Sequence, residues 1–399
     1  MVNSVGDPAG AAPTPPPALS IYDPRVRGIL YQILVIGLVV AVGWYFISNA
    51  LGNLARQSIT TGFGFLERPA SFDIGQRLIS YSSVSTYFRA LEVGFLNTML
   101  VAVLGIVLAT ILGTAVGIMR LSQNWLLARV SAVYVEVARN LPLLLQLLFW
   151  YSLITVSLPG PREALSPLPD VFLSNRGLML PVPQGGPVGL AMAVAFLVAV
   201  ALSFALGFWA HRRQDRTGRP FPVASIAAAM ILGLPILTWL AAGAPIALDA
   251  PKLTGFAFQG GITMSPEFVT ILLGLVVYTA AFIAETVRAG ILAVNWGQSE
   301  AALALGLKRG RILRLVVVPQ AFRVIVPQLT SEFLNLTKNS SLAVAVGYPD
   351  LVSIANTTIN QTGQAIEGIA IIMAVYLTIS LLISAFMNWF NARVALVER

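Results

Sequence analysis

Long runs of apolar residues, separated by short polar stretches, dominate the pattern along this chain. At about 20 residues per crossing, such runs predict membrane-spanning helices. Eight are long enough: about 28–51, 93–119, 138–158, 189–210, 222–244, 268–290, 316–337 and 366–390. The third is expected to start where Asn140 offers a capping side chain and Pro142 follows in the first turn, where a missing N–H costs nothing. Ahead of the first run, residues 1–27 are rich in proline and alanine, with APTPPPA, and predict a disordered tail. Arg25 and Arg27 then precede a run too long for a cleavable signal, so it reads as an uncleaved signal anchor.

Composition agrees with the pattern. Of the 399 residues, 57% are hydrophobic and 11% charged, with mean hydropathy +0.80. Soluble domains carry roughly 25% charged residues. The absence of cysteine excludes disulfides, iron–sulfur clusters and thiolate zinc sites. The one histidine, His211, stands among arginines and reads as a solvated group, so no metal site is expected. A net charge of +8 would suggest nucleic acid in a soluble protein. Here it reflects basic residues gathered on one membrane side. With the N-terminus in the cytoplasm, the inner side holds 17 of the 25 Lys/Arg and 8 of the 17 Asp/Glu. The outer side then holds 8 basic and 9 acidic residues. Both termini are therefore expected inside. The outer loops at 52–92 and 159–188 read as connectors or as surface for an external partner.

Catalytic chemistry is missing. A phosphate-binding loop needs Gly-Lys before Ser/Thr. The three lysines, Lys252, Lys308 and Lys338, follow Pro, Leu and Thr instead. No G-x-S-x-G, H-E-x-x-H or paired-carboxylate site is visible, and the spans are poor in ionisable groups. The residues alone thus describe a membrane protein suited to transport rather than catalysis.

One polar segment stands out, GQSEAALALGLKRGRILRLVVVPQ at 297–320. Ser299 is expected to cap a helix that places Glu300 in its first turn, near the positive end of the helix dipole. Gly306 suits a left-handed C-terminal cap. Lys308, Arg309, Arg311 and Arg314 follow on a second short helix, and Pro319 opens the next span. Small side chains at Ala301 and Ala302 would let another protein approach closely. On physical grounds alone the segment fits either a docking elbow or a connector lying among lipid headgroups.

The spacing Glu300-Ala301-Ala302, Gly306 and Pro319 resembles the EAA loop of bacterial ABC importer permeases. FIAETVRAGILAVNWGQSEAALALG (282–306), VEVARNLPLLLQLLFWY (135–151), the helix at 94–122 and KNSSLAVAVGYPDLV (338–352) resemble the histidine/glutamate/arginine/opine branch. The longer architecture resembles the Q-type permeases of general L-amino-acid systems. That resemblance implies an all-α integral membrane protein with a type I importer core of five helices, one N-terminal span and two inserted spans. Its parts would be a tail at 1–27, a span and periplasmic loop at 28–92, a permease domain at 93–390 and a tail at 391–399. The permease domain would carry an insertion near 160–265 and the coupling loop at 297–319. The resemblance further implies a non-catalytic permease that moves L-amino acids across the bacterial inner membrane by alternating access. Its partners would be a cytoplasmic ATPase dimer holding ATP and Mg, a second M-type permease and a periplasmic amino-acid-binding protein. No cofactor is expected in this chain and no nucleic acid among its partners. An amino-acid zwitterion needs donors and acceptors. Asn97, Gln146, Glu332, Asn335 and Lys338 are the substrate-pathway candidates, while Arg139, Glu285 and Arg288 fall nearer the cytoplasmic ends. Glu285 and Arg288 also suit a simple i, i+3 pair. The competing readings are an ATPase-independent transporter or channel, and a receptor or assembly subunit that translocates nothing.

Overall fold

The computed structural model describes residues 24–56, 62–183, 187–218, 221–243, 248–255 and 257–394. Of the predicted tails at 1–27 and 391–399, residues 1–23 and 395–399 lie outside them, while 24–27 and 391–394 are helical rather than tail. Two compact units result, the first ending at Phe63 and the second running from Gly64. The first is helix α1 (Pro24–Arg56), apolar throughout its middle and long enough to span. The second unit holds the remaining elements, including residues 64–86, which the sequence reading attached to α1. There Phe65, Ala70, Ile74 and Tyr81 are buried against the start of α2 (Tyr87–Met119) and against α11 (Leu351–Thr362).

Helix α7 (Pro266–Leu292) is the axis of the larger unit. Ser265 caps it by accepting from the Phe268 N–H, and Pro266 sits in the first turn, where its lacking donor is harmless. It packs on α2, α3 (Trp125–Asn140), α4 (Leu143–Ser152) and α10 (Val318–Asn339). The α2 contact is closest because Gly113 and Gly117 face it. A Cβ at Gly113 would lie 2.7 Å from the Ala280 carbonyl oxygen, and one at Gly117 2.7 Å from that of Ala284. Helices in lipid gain no hydrophobic drive toward one another, so close backbone approach through small residues supplies the packing. Helix α12 (Ala365–Val394) lies against α10 and α11.

The predicted third span, 138–158, is two helices. α3 and the continuation of α4 through Ser157 meet at 105°. Pro142 disfavours helical backbone in the residue before it, and Leu141 is extended at φ −95°, ψ 131°. Asn140 is therefore the last residue of α3 and caps nothing, while Pro142 itself occupies the cap position of α4. Among the described residues, six helices are long and apolar enough to cross a bilayer, or seven if the bent pair counts as one span, against the eight expected. The predicted span at 222–244 is the shorter α6 (Val223–Ala241).

The insertion also contains strands. β1 (Leu165–Leu168), β2 (Val171–Ser174) and β3 (Gly177–Leu180) form an antiparallel meander. β4 (Val182–Pro183), α5 (Pro187–Thr217), α6, β5 (Leu248–Asp249), β6 (Lys252–Thr254) and β7 (Ala257–Gln259) follow. β8 (Ile262–Met264) then returns to β3, with Leu178 opposite Met264. β4 likewise meets β5. The α5–α6 hairpin is thus clamped at its base by a sheet, where the sequence reading saw only a loop at 159–188. β8 passes directly into α7, so the sheet marks one end of α7. α8 (Trp296–Ala304) marks the other, about 40 Å away at 1.5 Å per residue.

Candidate functional site

At that second end the chain turns sharply. Asn295 caps α8 by accepting from the Gly297 N–H at 2.9 Å. The helix therefore begins at Trp296, not beside the predicted cap Ser299. This moves Glu300 out of the first turn, so its expected dipole role is lost. Its carboxylate instead accepts from the Trp296 indole N–H at 2.8 Å, one turn earlier. Gly306 closes the helix as predicted. At φ +76° it lets its own N–H reach the Leu303 carbonyl and the Leu307 N–H reach that of Ala302. Lys308 is extended and opens α9 (Arg309–Ile312), and Pro319 lies in the first turn of α10.

The elbow has an inner and an outer face. Ala302 and Ile312 are buried between α8, α9 and the turn at 313–317. Ala302 thus allows close packing within the elbow rather than presenting itself to a partner. Glu300, Ala301, Trp296 and Leu305 point outward, with Trp296 73% and Leu305 82% exposed. Leu303, Leu313 and Leu315 of the same segment are exposed as well. Large apolar groups exposed on a short helix outside the spans suit contact with another surface, to which the indole and carboxylate add a polar pair.

An ionic cluster braces the same end. Glu285 takes Arg120 from the end of α2 and Arg288 one turn along α7, the latter at 2.6 Å. The pair within α7 was legible from its i, i+3 spacing. The bond to Arg120 was not, because 165 residues separate the partners. Arg139 lies 5.0 Å above the Phe282 ring and also acts electrostatically on Glu332.

The substrate-pathway candidates separate into two groups. Asn97 is buried and donates to the backbone carbonyls of Gln76 and Pro349, both at 2.9 Å. Gln146 is buried and donates to those of Ala138 and Leu141, stapling the α3–α4 bend. Both side chains hold backbone in place. Glu332, Asn335 and Lys338 follow one another at three-residue intervals on α10. Glu332 is half-buried, the other two are exposed, and among the described residues none of the three side chains makes a hydrogen bond within the chain. Sequence reasoning missed Trp296 and Leu305; a tryptophan next to a helix cap in an otherwise basic segment was the available signal.

A bundle of bilayer-length helices, with a capped amphipathic elbow at one end, defines a multi-pass membrane protein whose working surfaces are for contact and passage. The chain belongs to the family of binding-protein-dependent transport system inner membrane components, whose model matches residues 105–396. It is 52% identical over 380 residues to the general L-amino acid transport system permease protein AapQ of Rhizobium johnstonii, covering 95% of each chain. It is 51% identical to the putative amino-acid ABC transporter permease protein YhdX of Escherichia coli, covering 96% of this chain and 98% of that one. It is 44% identical to the glutamate/glutamine/aspartate/asparagine transport system permease protein BztB of Rhodobacter capsulatus, covering 96% and 97%. The protein is accordingly the permease subunit of an ABC transporter, an inner-membrane component rather than a catalytic one.

Proposed function

We propose that this permease imports L-amino acids of several side-chain types, polar and charged ones included, by alternating access. The observation that carries the coupling half of this reading is the outward face of the elbow. Trp296, Glu300 and Leu305 are presented on a helix locked by caps at both ends. A rigid, exposed apolar helix end suits a groove on a cytoplasmic ATPase dimer, which would hold ATP and Mg and supply the free energy. Elbow movement would reach the bundle through two routes, the direct continuation of α9 into α10 and the Arg120–Glu285–Arg288 cluster. The names of the relatives support an amino-acid substrate. A second, M-type permease would complete the pathway, and a periplasmic binding protein would deliver the substrate at the sheet end.

Within this reading, Glu332, Asn335 and Lys338 form the polar stripe of the pathway. They supply an acceptor for an ammonium group and donors for a carboxylate. Asn97 and Gln146 position the surrounding helices. The excess of basic residues on one side of the spans supports cytoplasmic termini.

The test is uptake of labelled glutamate, arginine and leucine into cells or proteoliposomes carrying the whole system. Glu300→Lys should abolish uptake and co-purification of the ATPase while the permease still inserts. Gly306→Val should do the same through strain at positive φ, since open space surrounds its Cβ position. Normal uptake and ATPase binding in both variants would refute docking at the elbow.

A further inference from the structure

We infer that the cytoplasmic-end crevice between α5 and α12 is a binding site for an anionic glycerophospholipid, which joins the inserted hairpin to the core. The crevice has a volume of about 420 Å³ and is lined by Ser203, Phe204, Gly207, Phe208, Trp389 and Arg393. That is within the roughly 300–1,000 Å³ of ordinary small-molecule sites. Its walls belong to two long apolar helices, and its lining residues Phe204 and Phe208 are largely exposed. In a bilayer the medium that fills such a gap is lipid. The lining also leaves nothing for a polar solute to bind in its depth, since the Ser203 hydroxyl donates to the Ala199 carbonyl at 2.7 Å.

The headgroup class follows from charge. Arg393 lines the crevice, with its guanidinium held 4.7 Å above the Trp389 ring. On α5, Phe204, Phe208 and Arg212 follow at four-residue intervals and so share one face. Arg212 therefore stands one turn beyond the aromatic wall, as Arg393 does on α12. Among the described residues neither arginine enters an ion pair. Two arginines, each one turn beyond the aromatic residues of its own helix, beside an aromatic and aliphatic slot, match a phosphodiester attached to acyl chains. Arg213, by contrast, stacks on Trp209 and Phe221 at 5.6 and 5.3 Å and does not line the slot. It provides a matched control of equal charge.

The experiment is native mass spectrometry of the full-length chain in detergent, titrated with phosphatidylglycerol or phosphatidylcholine. Wild type should retain phosphatidylglycerol selectively. The Arg212→Gln/Arg393→Gln double variant should hold it roughly 30-fold more weakly, the loss expected for two arginines at an anionic headgroup. Arg213→Gln should stay within about twofold of wild type. Gly207→Leu keeps every charge and grows into open space, so the fold is spared while the slot is filled; it should also lose the retained lipid. Equal retention of phosphatidylcholine, an equal loss in Arg213→Gln, or undiminished binding in Gly207→Leu or the double variant would overturn the assignment.

Discussion

Asp350 begins α11 as its N-cap, accepting from the Ser353 N–H at 2.8 Å, yet it is almost wholly buried. Burial pushes its carboxyl up to about 7 from an ordinary 3.8, outweighing the backbone hydrogen bonds that favour the anion. A raised acid means the folded state binds the proton more tightly than the unfolded chain. Stability is then greatest below the unfolded value and is lost as pH rises toward the folded one, at a cost of ~4 kcal/mol once ionisation is complete. Asp350→Asn keeps a good cap and removes the charge. It should raise the thermal midpoint by several degrees at pH 8.5 and by clearly less at pH 5, where only part of the loss has accrued, read by unfolding of the solubilised protein. At this scale the sequence is least explicit. Asn97 and Gln146 were chosen as polar groups in apolar runs, a criterion that does not distinguish substrate contact from a bond to backbone. Their acceptors, at Gln76, Pro349, Ala138 and Leu141, are set by how the chain folds back on itself.

Helices were legible wherever one residue type dominated for twenty positions, as in α2, α7 and α12. Boundaries failed where two signals competed. Ser299 and Asn295 are both good caps, and Asn295 prevails because α7 ends at Leu292 and leaves only a short turn. At Pro142 the prohibition on helical Leu141 outweighs continuous hydrophobicity, so one run becomes two helices. The α2–α7 contact was also written in the chain, with Gly113 and Gly117 four residues apart, but its partner helix was not. Gly113→Leu would drive its side chain into the Ala280 carbonyl and Ile283. Overpacking of this kind costs about 1–3 kcal/mol. The variant should lose several degrees of thermal midpoint or yield little folded protein. Gly37→Leu on α1, where a Cβ meets nothing within 4 Å, should be unaffected in the same assay.

For the whole molecule, α7 places the sheet and the elbow at opposite ends, so they should face opposite sides of the membrane. The absence of cysteine makes this directly measurable. Ser166→Cys on the exposed edge strand should react with an impermeant maleimide added outside intact spheroplasts. Gly310→Cys should react only after the membrane is opened, and the reverse pattern would invert the topology. The residues by themselves determined the membrane class, the rough places of the apolar helices, the charge asymmetry and the glycine-closed turn of the elbow. Each depends on composition or on neighbours within a few residues, where local backbone preference and transfer to lipid set the outcome. Tertiary structure alone decided that β8 returns across the α5–α6 hairpin to β3 and that Arg120 reaches Glu285. It likewise turned Ala302 inward and Trp296 outward. These relations join positions far apart in the chain, and their energy comes from surfaces that exist only once the helices have met.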